Sequence, residues 1–157
     1  MTHPQILETR RWHWPDEDAC ASRATELARR AAIGDAYVEL QGPLGAGKTT
    51  FVRHLLRALG VKGRIKSPTY AVLEPYQVGE LCISHFDFYR FEDARELIDA
   101  GFRDVFAAPG LKLAEWPEHA AALLPTADVT LSIGVREDGS RTVQVEAATV
   151  RGLELLG

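Results

Sequence analysis

Cysteine is scarce in this chain, with two residues in 157, too few for the disulfide framework of a small secreted protein. Cys20 and Cys82 lie far apart and lack metal-type spacing, so we predict free thiols in a reducing compartment. No apolar run is long enough to cross a membrane, and residues 1–14 contain no apolar core of a secretory signal. We therefore expect a cytoplasmic protein that does not bind a membrane.

A strong excess of one charge is also lacking, because 18 basic residues stand against 22 acidic ones. The net charge of −4 argues against broad nucleic-acid binding. A local basic run in residues 53–66 has two interpretations: a solvated surface, which we favour, or a docking surface for an anionic partner such as RNA. Length and composition predict one globular domain over residues 1–157.

Three glycines fall within residues 42–50, GPLGAGKTT, a stretch that fits the phosphate-loop pattern G-x-x-x-x-G-K-[ST]. Glycine lets the backbone approach a ligand closely, and successive N–H groups at a helix start attract an anion. Lys48 is placed to reach the β- and γ-phosphates of a nucleotide, and Thr49 to ligate Mg²⁺. The residues expected to hold the nucleotide are Gly42, Leu44, Gly45, Ala46, Gly47, Lys48, Thr49 and Thr50.

The segments around this loop support that interpretation. Residues 37–41 predict a strand, and residues 49–59 predict an amphipathic helix that Gly60 ends. An ordinary glycine-rich turn is the alternative, but strand, loop and helix in this order is the context that the motif requires. Upstream, residues 9–14 predict a strand, and Pro15 opens a helix that runs to about Ile33.

Downstream, two strands over residues 70–78 and 80–88 form a predicted hairpin, and the apolar second strand is expected to be central. A short helix follows at residues 93–100. A strand from residue 111 leads into a helix that stops before Pro125. An alternating hairpin over residues 129–147 makes the sheet mixed, and the tail from residue 150 is uninformative.

Acidic residues stand at the ends of two predicted strands. Burying the charge of Asp87 at a strand end costs free energy unless the carboxylate has a partner. In a phosphate-loop protein the expected partner is Mg²⁺ or its bound water. An ion pair with Arg90 is the alternative. Glu115 either positions an attacking water or satisfies free N–H groups at the next helix start. The residues alone weigh these two roles of Glu115 equally.

Three other features each have a structural and a functional interpretation. Thr69 lies in a loop after Pro68, either in an ordinary turn or in a switch-like segment near the γ-phosphate. His85 shares the strand face of Asp87, and a structural role is favoured for it. Trp12 and Trp14 are expected in the core rather than stacked on a base.

Four motifs occur in order along the chain: GPLGAGKTTF, SPTY, HFDFYR and LAEWPE. Together they resemble the TsaE (YjeE) family, small bacterial ATPases of tRNA threonylcarbamoyladenosine biosynthesis, over about residues 12–147. The resemblance implies an α/β fold, P-loop NTPase-like, with a single mixed sheet (parallel plus antiparallel) flanked by helices. It also implies ATP and ADP as ligands, Mg²⁺, and partnership with the two-subunit TsaB–TsaD threonylcarbamoyltransferase complex, with tRNA engaged indirectly.

The resemblance also carries roles to matching positions. Asp87 matches a Walker-B-like acid, Thr69 a switch-like segment, and Glu115 with Trp116 a pair important for hydrolysis. The implied catalytic residues are Lys48, Thr69, Asp87, Glu115 and Trp116, and the implied metal ligands are Thr49, Asp87 and Glu115. Pro43 departs from the family, where an acidic residue is common, and it removes one N–H from the loop.

Two other functions remain open from the residues alone. A small-molecule kinase would need an acceptor pocket and an arginine-rich lid, for which Arg90, Arg95 and Arg103 are candidates. A nucleotide-dependent docking switch would bind nucleotide with little hydrolysis. The chain has no N-K-x-D signal for guanine, which favours ATP over GTP.

Overall fold

Seven strands form one mixed sheet in the order β1-β7-β6-β2-β5-β4-β3. The computed structural model describes residues 5–65, 68, 72–92 and 101–157. The strands are β1 Glu8–Trp14, β2 Tyr37–Gln41, β3 Leu73–Val78, β4 Leu81–Asp87, β5 Leu111–Glu115, β6 Val129–Val135 and β7 Arg141–Ala147. The described helices are α1 Glu17–Ala28, α2 Lys48–Leu59, α3 Phe102–Ala107 and α4 Val150–Leu156. Short 3₁₀ turns occupy Ala31–Asp35, Pro117–His119 and Ala121–Leu123.

The central part of the sheet is parallel and its margins are antiparallel. β2 pairs in parallel with both β5 and β6, and β4 pairs in parallel with β5. β1 and β7 join one margin and β3 the other, each by antiparallel pairing. This arrangement confirms the predicted mixed α/β sheet. Because parallel strands end at the same edge, the loop after β2 and the last residues of β4 and β5 lie together.

Two hydrophobic clusters pack on opposite faces of the sheet. The larger one packs α1 and α2 against alternate residues of the strands. Phe51 of α2 and Leu40 of β2 both belong to it. Trp12 and Trp14 are buried in it, and the Trp14 ring stacks on Phe51 with 5.8 Å between centroids. The predicted core role of both tryptophans is therefore confirmed. The smaller cluster gathers aromatic residues of β4 and α3 on the other face.

Several predicted elements are confirmed by the structure. The strand over residues 37–41 and the hairpins β3–β4 and β6–β7 form as expected. α2 covers the predicted helix and ends at Gly60, whose φ of 106° is the left-handed conformation that closes many helices. Cys20 and Cys82 are free thiols. None of the described helices is long and apolar enough to span a bilayer.

Other predicted boundaries are wrong. α1 begins after the capping residue Asp16 and ends at Ala28, because Arg30 takes an extended conformation that lets Ile33 enter the core. β4 is an interior strand but lies one place from the edge, and β2 is the middle strand. The apolar character of β4 reflects burial on both faces of the sheet. Ile83 packs in the larger cluster and Phe86 in the smaller one.

The second half of the chain departs furthest from the sequence prediction. The helix expected after Pro117 is two 3₁₀ turns, because Trp116 and Ala120 both leave helical geometry. The tail forms α4, which Thr149 caps by accepting the Gly152 N–H. α3 was not predicted, and the helix predicted at residues 93–100 lies outside the described residues.

Candidate functional site

The loop between β2 and α2 has the backbone that its glycines predict. Gly42, Gly45 and Gly47 all have positive φ, at 144°, 79° and 112°. A Cβ on Gly42 would lie 2.5 Å from the Ile133 carbonyl oxygen, so the loop turns tightly against β6. Gly47 directly precedes α2, so the free N–H groups of the helix start open onto the loop.

Lys48 is folded back over this loop and is 5% exposed. Its ammonium donates to the carbonyls of Gly42 and Pro43 and lies 3.9 Å from the centroid of the Trp116 ring. Burial lowers the pKa of Lys48, while the nearby carboxylates of Glu115, Glu118 and Asp87 act in the opposite direction. A cation held this way is close to the loop and is satisfied by groups that an anionic ligand could replace.

Trp116 supplies its ring from an unusual backbone position. With φ at 56°, it is the one non-glycine residue with positive φ among those the structure describes. Its ring lies against Tyr89 and His119, with centroids 5.1 Å and 5.4 Å away. A positive φ strains the backbone of a residue with a bulky side chain, and strained residues cluster at functional sites. This conformation therefore supports the functional role that the LAEWPE motif suggests for Trp116.

Glu115, the last residue of β5, is 2% exposed and accepts two hydrogen bonds. The Thr49 hydroxyl donates to Oε1 over 2.8 Å, and His85 Nε2 lies 2.6 Å from Oε2. His85 is fully buried, and its Nδ1 has no partner among the described residues. The sequence analysis favoured a structural role for His85. The contact with Glu115 shows that this histidine also lies beside a candidate site residue.

Asp87 stands opposite Glu115 in the parallel β4–β5 register. It accepts the Tyr89 N–H over 3.0 Å. Burial is the main cause that raises the pKa of Asp87, and the Glu115 carboxylate adds to it. Backbone bonding to Tyr89 and the charges of His85 and Lys48 act in the opposite direction.

These side chains line one open cavity of about 320 Å³ at the start of α2. The structure thus brings together Lys48, Thr49, Asp87, Glu115 and Trp116. Thr69 lies outside the described residues, so its predicted role stays a prediction. The prediction missed Tyr89, although it sits inside the HFDFYR motif. His119 was also missed, and no local pattern marks it.

A second cavity, of about 310 Å³, lies on the other side of the loop. Its lining residues include Trp14, Asp16, Cys20, Thr50 and Arg141. Burial raises the pKa of the Cys20 thiol to about 12, and the charge of Glu17 adds to the effect. Arg141 donates from Nε to the Ala46 carbonyl oxygen over 2.8 Å, across 95 residues of sequence. Local sequence patterns could not predict that contact.

Known proteins resemble this chain over most of its length. The family model for TsaE, the threonylcarbamoyl adenosine biosynthesis protein, matches residues 14–143. Two relatives called tRNA threonylcarbamoyladenosine biosynthesis protein TsaE come from Haemophilus influenzae and Treponema pallidum. The first is 40% identical over 76% of this chain and 75% of its own length, the second 37% over 80% and 98%.

The fold has a solved counterpart. The crystal structure of YdiB from Bacillus subtilis matches with a TM-score of 0.79 and 25% sequence identity. The match covers 97% of this chain and 94% of that one. By family model, relatives and fold, this chain belongs to the TsaE family of threonylcarbamoyladenosine biosynthesis proteins.

Proposed function

We propose that this protein hydrolyses ATP to ADP and phosphate, with Mg²⁺, in support of threonylcarbamoyladenosine formation on tRNAs that read ANN codons. The observation that carries the proposal is the convergence of Lys48, Thr49, Asp87 and Glu115 on one cavity beside a glycine loop and a helix start. That combination joins an anion-binding backbone to acids that can act on metal and water.

The phosphates are expected to bind at the loop, where Lys48 would exchange the carbonyls of Gly42 and Pro43 for phosphate oxygens. The Trp116 ring, which contacts the ammonium, would limit where Lys48 can move. Thr50 lines the cavity on the opposite side of the loop, so that cavity offers space for the nucleoside.

The oxygen groups at the site fit Mg²⁺ by their chemistry. The Thr49 hydroxyl and the carboxylates of Asp87 and Glu115 are hard oxygen donors of the kind that Mg²⁺ prefers. Within the described residues, no group of three or more His, Cys, Asp or Glu side chains could hold a metal ion. That also suits Mg²⁺, which takes one or two carboxylates and completes its shell with phosphate and water. The bound ion would neutralise charge on the phosphates.

Glu115 is the residue best placed to receive a proton from the attacking water. The water oxygen would bond to the γ-phosphorus while the bond to the bridging oxygen breaks and ADP leaves. His85 would hold one carboxylate oxygen of Glu115, so the other remains directed toward Thr49. Asp87, across the strand pair, would act on the metal side of the same cavity.

We also propose that the protein acts in the cytoplasm with the TsaB–TsaD complex and engages tRNA indirectly. Phosphoryl transfer depends on positioning and charge, so a partner that adds or orders a group accelerates it strongly. The candidate site is open, and Lys48 is engaged by its own loop. We therefore expect slow hydrolysis by the isolated chain and faster hydrolysis in the complex.

The test is ADP formation by purified protein, alone and with the TsaB–TsaD pair and tRNA. Lys48→Ala should abolish turnover in both cases, while the exposed Arg136→Ala, outside the basic run of residues 53–66, serves as a control. An active Lys48→Ala variant would place the chemistry elsewhere. Equal rates with and without the partners would contradict the proposed partnership.

A further inference from the structure

Arg141, the first residue of β7, contacts the phosphate loop from the side opposite Asp87 and Glu115. Its Nε donates to the Ala46 carbonyl over 2.8 Å, and Nη2 donates to the Gly45 carbonyl over 3.3 Å. Its Nη1 donates to Gly139 in the preceding turn. One guanidinium therefore joins two successive loop peptides to the C-terminal hairpin.

The two carbonyls that Arg141 holds determine where the next N–H groups point. In a planar trans peptide the carbonyl and the following N–H point in opposite directions. No cis peptide occurs among the described residues. With the carbonyls of Gly45 and Ala46 turned toward Arg141, the N–H groups of Ala46 and Gly47 are turned away from it. The Ala46 N–H donates to the Pro43 carbonyl over 3.1 Å, so the Gly47 N–H is the one that this arrangement directs toward a ligand.

The contacts of Arg141 restrain a part of the loop, residues 45–47, in which two of the three residues are glycines with a flexible backbone. Gly45 and Gly47 both have positive φ, and glycine changes peptide orientation at little steric cost. The first half of the loop is held differently, since Lys48 donates to Gly42 and Pro43. When Lys48 turns to a phosphate, that restraint is lost and the Arg141 contacts remain.

The base of the Arg141 side chain is itself well fixed. Arg141 pairs with Trp14 of β1 and with Val135 of β6, so strands flank it on both sides. The turn before it is held by Asp138, which accepts from the N–H and the hydroxyl of Ser140. A guanidinium presented from a sheet loses little further freedom when it binds the loop.

We infer that Arg141 is a positioning residue for phosphate binding: it orients the loop N–H groups by holding the carbonyls of Gly45 and Ala46. This inference rests on the proposed function, in which the loop binds the phosphates of a nucleotide. Arg141 need not touch the phosphates, because it acts through the two peptides. The same residue lines the second cavity, so a direct contact with the nucleoside is the rival role.

The experiment compares inorganic pyrophosphate with ADP, each with Mg²⁺, by titration calorimetry on wild type, Arg141→Lys and Arg141→Ala. Lysine keeps the charge but cannot bridge two carbonyls as a guanidinium does. Both variants should therefore weaken pyrophosphate and ADP by the same factor, about tenfold or more, as expected for lost hydrogen bonds to a charged group. Arg136→Ala, an exposed arginine of the same hairpin, is the control and should bind like wild type.

Each alternative gives a different result. If ADP weakens and pyrophosphate does not, Arg141 contacts the nucleoside and the inference is wrong. Wild-type affinity in Arg141→Lys would mean that charge alone matters, and a lower melting temperature with unchanged affinities would mean that the role is only structural. If Arg141→Ala does not fold, the affinities of Arg141→Lys for pyrophosphate and ADP test the inference alone. A wild type that binds neither ligand would contradict the proposed function itself.

Discussion

The phosphate loop has two walls of different chemistry. The strand-end wall consists of Asp87, Tyr89, Glu115 and Trp116, at the ends of β4 and β5. The hairpin wall consists of Trp14, Asp16, Cys20 and Arg141, from β1, α1 and β7. The first places the carboxylates of Asp87 and Glu115 beside Lys48 and Thr49. The second also carries Asp16, but it contacts the loop through Arg141, whose guanidinium donates to loop carbonyls. One wall is suited to act on phosphate and water, and the other to hold the loop.

The two walls also differ in electrostatic cost. At the strand-end wall, burial raises the pKa of Asp87 and lowers that of Lys48, so the site opposes the charged form of both groups. On the hairpin side, Asp138 accepts from Ser140, and this bonding lowers its pKa. The contrast separates the partly buried carboxylate of Asp87, whose charge costs stability, from the exposed carboxylate of Asp138, whose charge is favoured by its hydrogen bonds.

The largest effect should come from the strand-end wall itself. Glu115→Gln removes the proposed proton acceptor but keeps the shape, so the proposal predicts that kcat for ATP falls by about 10²–10⁴-fold. Binding of ADP should change far less, because the loop and Lys48 remain. Steady-state ADP release measures kcat, and the exposed Glu154→Gln, in α4 away from the site, is the control. A fully active Glu115→Gln would remove Glu115 from the chemistry.

His85 offers a smaller test of the same wall. Gln at position 85 can place an N–H near the former Nε2, whereas Asn is too short to reach Glu115. His85→Asn should lower kcat by about tenfold, the loss of one orienting hydrogen bond, and His85→Gln should recover most of it with KM unchanged. Equal rates in the two variants would make His85 a space-filling residue.

The sheet edge opposite the phosphate loop, far from both walls, should respond in stability rather than in catalysis. Asp128, at the start of β6, is 6% exposed and accepts from the Tyr37 N–H over 2.7 Å and the Thr149 hydroxyl over 2.6 Å. Asp128→Ala should lower the free energy of unfolding by about 1–3 kcal/mol, since a buried N–H loses its acceptor. Urea unfolding measures this, with exposed Asp104→Ala as the control. Unchanged stability would contradict the structural role.

The smallest effects should have opposite signs at Asp87, in the strand-end wall, and at Asp138, in the exposed turn before β7. The pKa of Asp87 is raised in the folded state, so its ionised form costs stability at neutral pH. Asp87→Asn should stabilise the protein by less than about 1 kcal/mol, because the group is partly solvated, and the gain should shrink as pH falls toward the ordinary pKa.

Asp138 should behave in the opposite way. Its pKa is lowered by Ser140, so its contribution is present above the ordinary pKa and is lost as pH falls. Asp138→Asn should therefore destabilise the protein at neutral pH. Melting temperatures at about pH 8 measure the sign of both effects, and a series down to about pH 3 follows the loss at Asp138. Shifts of the same sign at about pH 8 would remove the contrast between Asp87 and Asp138.

Local patterns predicted much of the fold because they need only neighbouring residues. Alternation gave the hairpins, and helical periodicity with Gly60 gave α2. The end of α1, the 3₁₀ turns after Pro117 and helix α4 were not predicted. α1 ends where Ile33 enters the core, and Gly152 of α4 packs against the Asp128 carbonyl, so distant segments contribute to both elements. The 3₁₀ turns follow from the backbone conformations of Trp116 and Ala120.

The sequence by itself determined the phosphate loop and placed Asp87 and Glu115 at strand ends, because each lies within a short motif or element. The tertiary structure alone decided that His85 contacts Glu115 and that Arg141 holds the loop carbonyls. Sheet order is a property of non-local pairing, which brings β7 within reach of residues 95 positions earlier. The residues of the proposed site were therefore readable along the chain, while the contacts that position them depend on how the strands assemble.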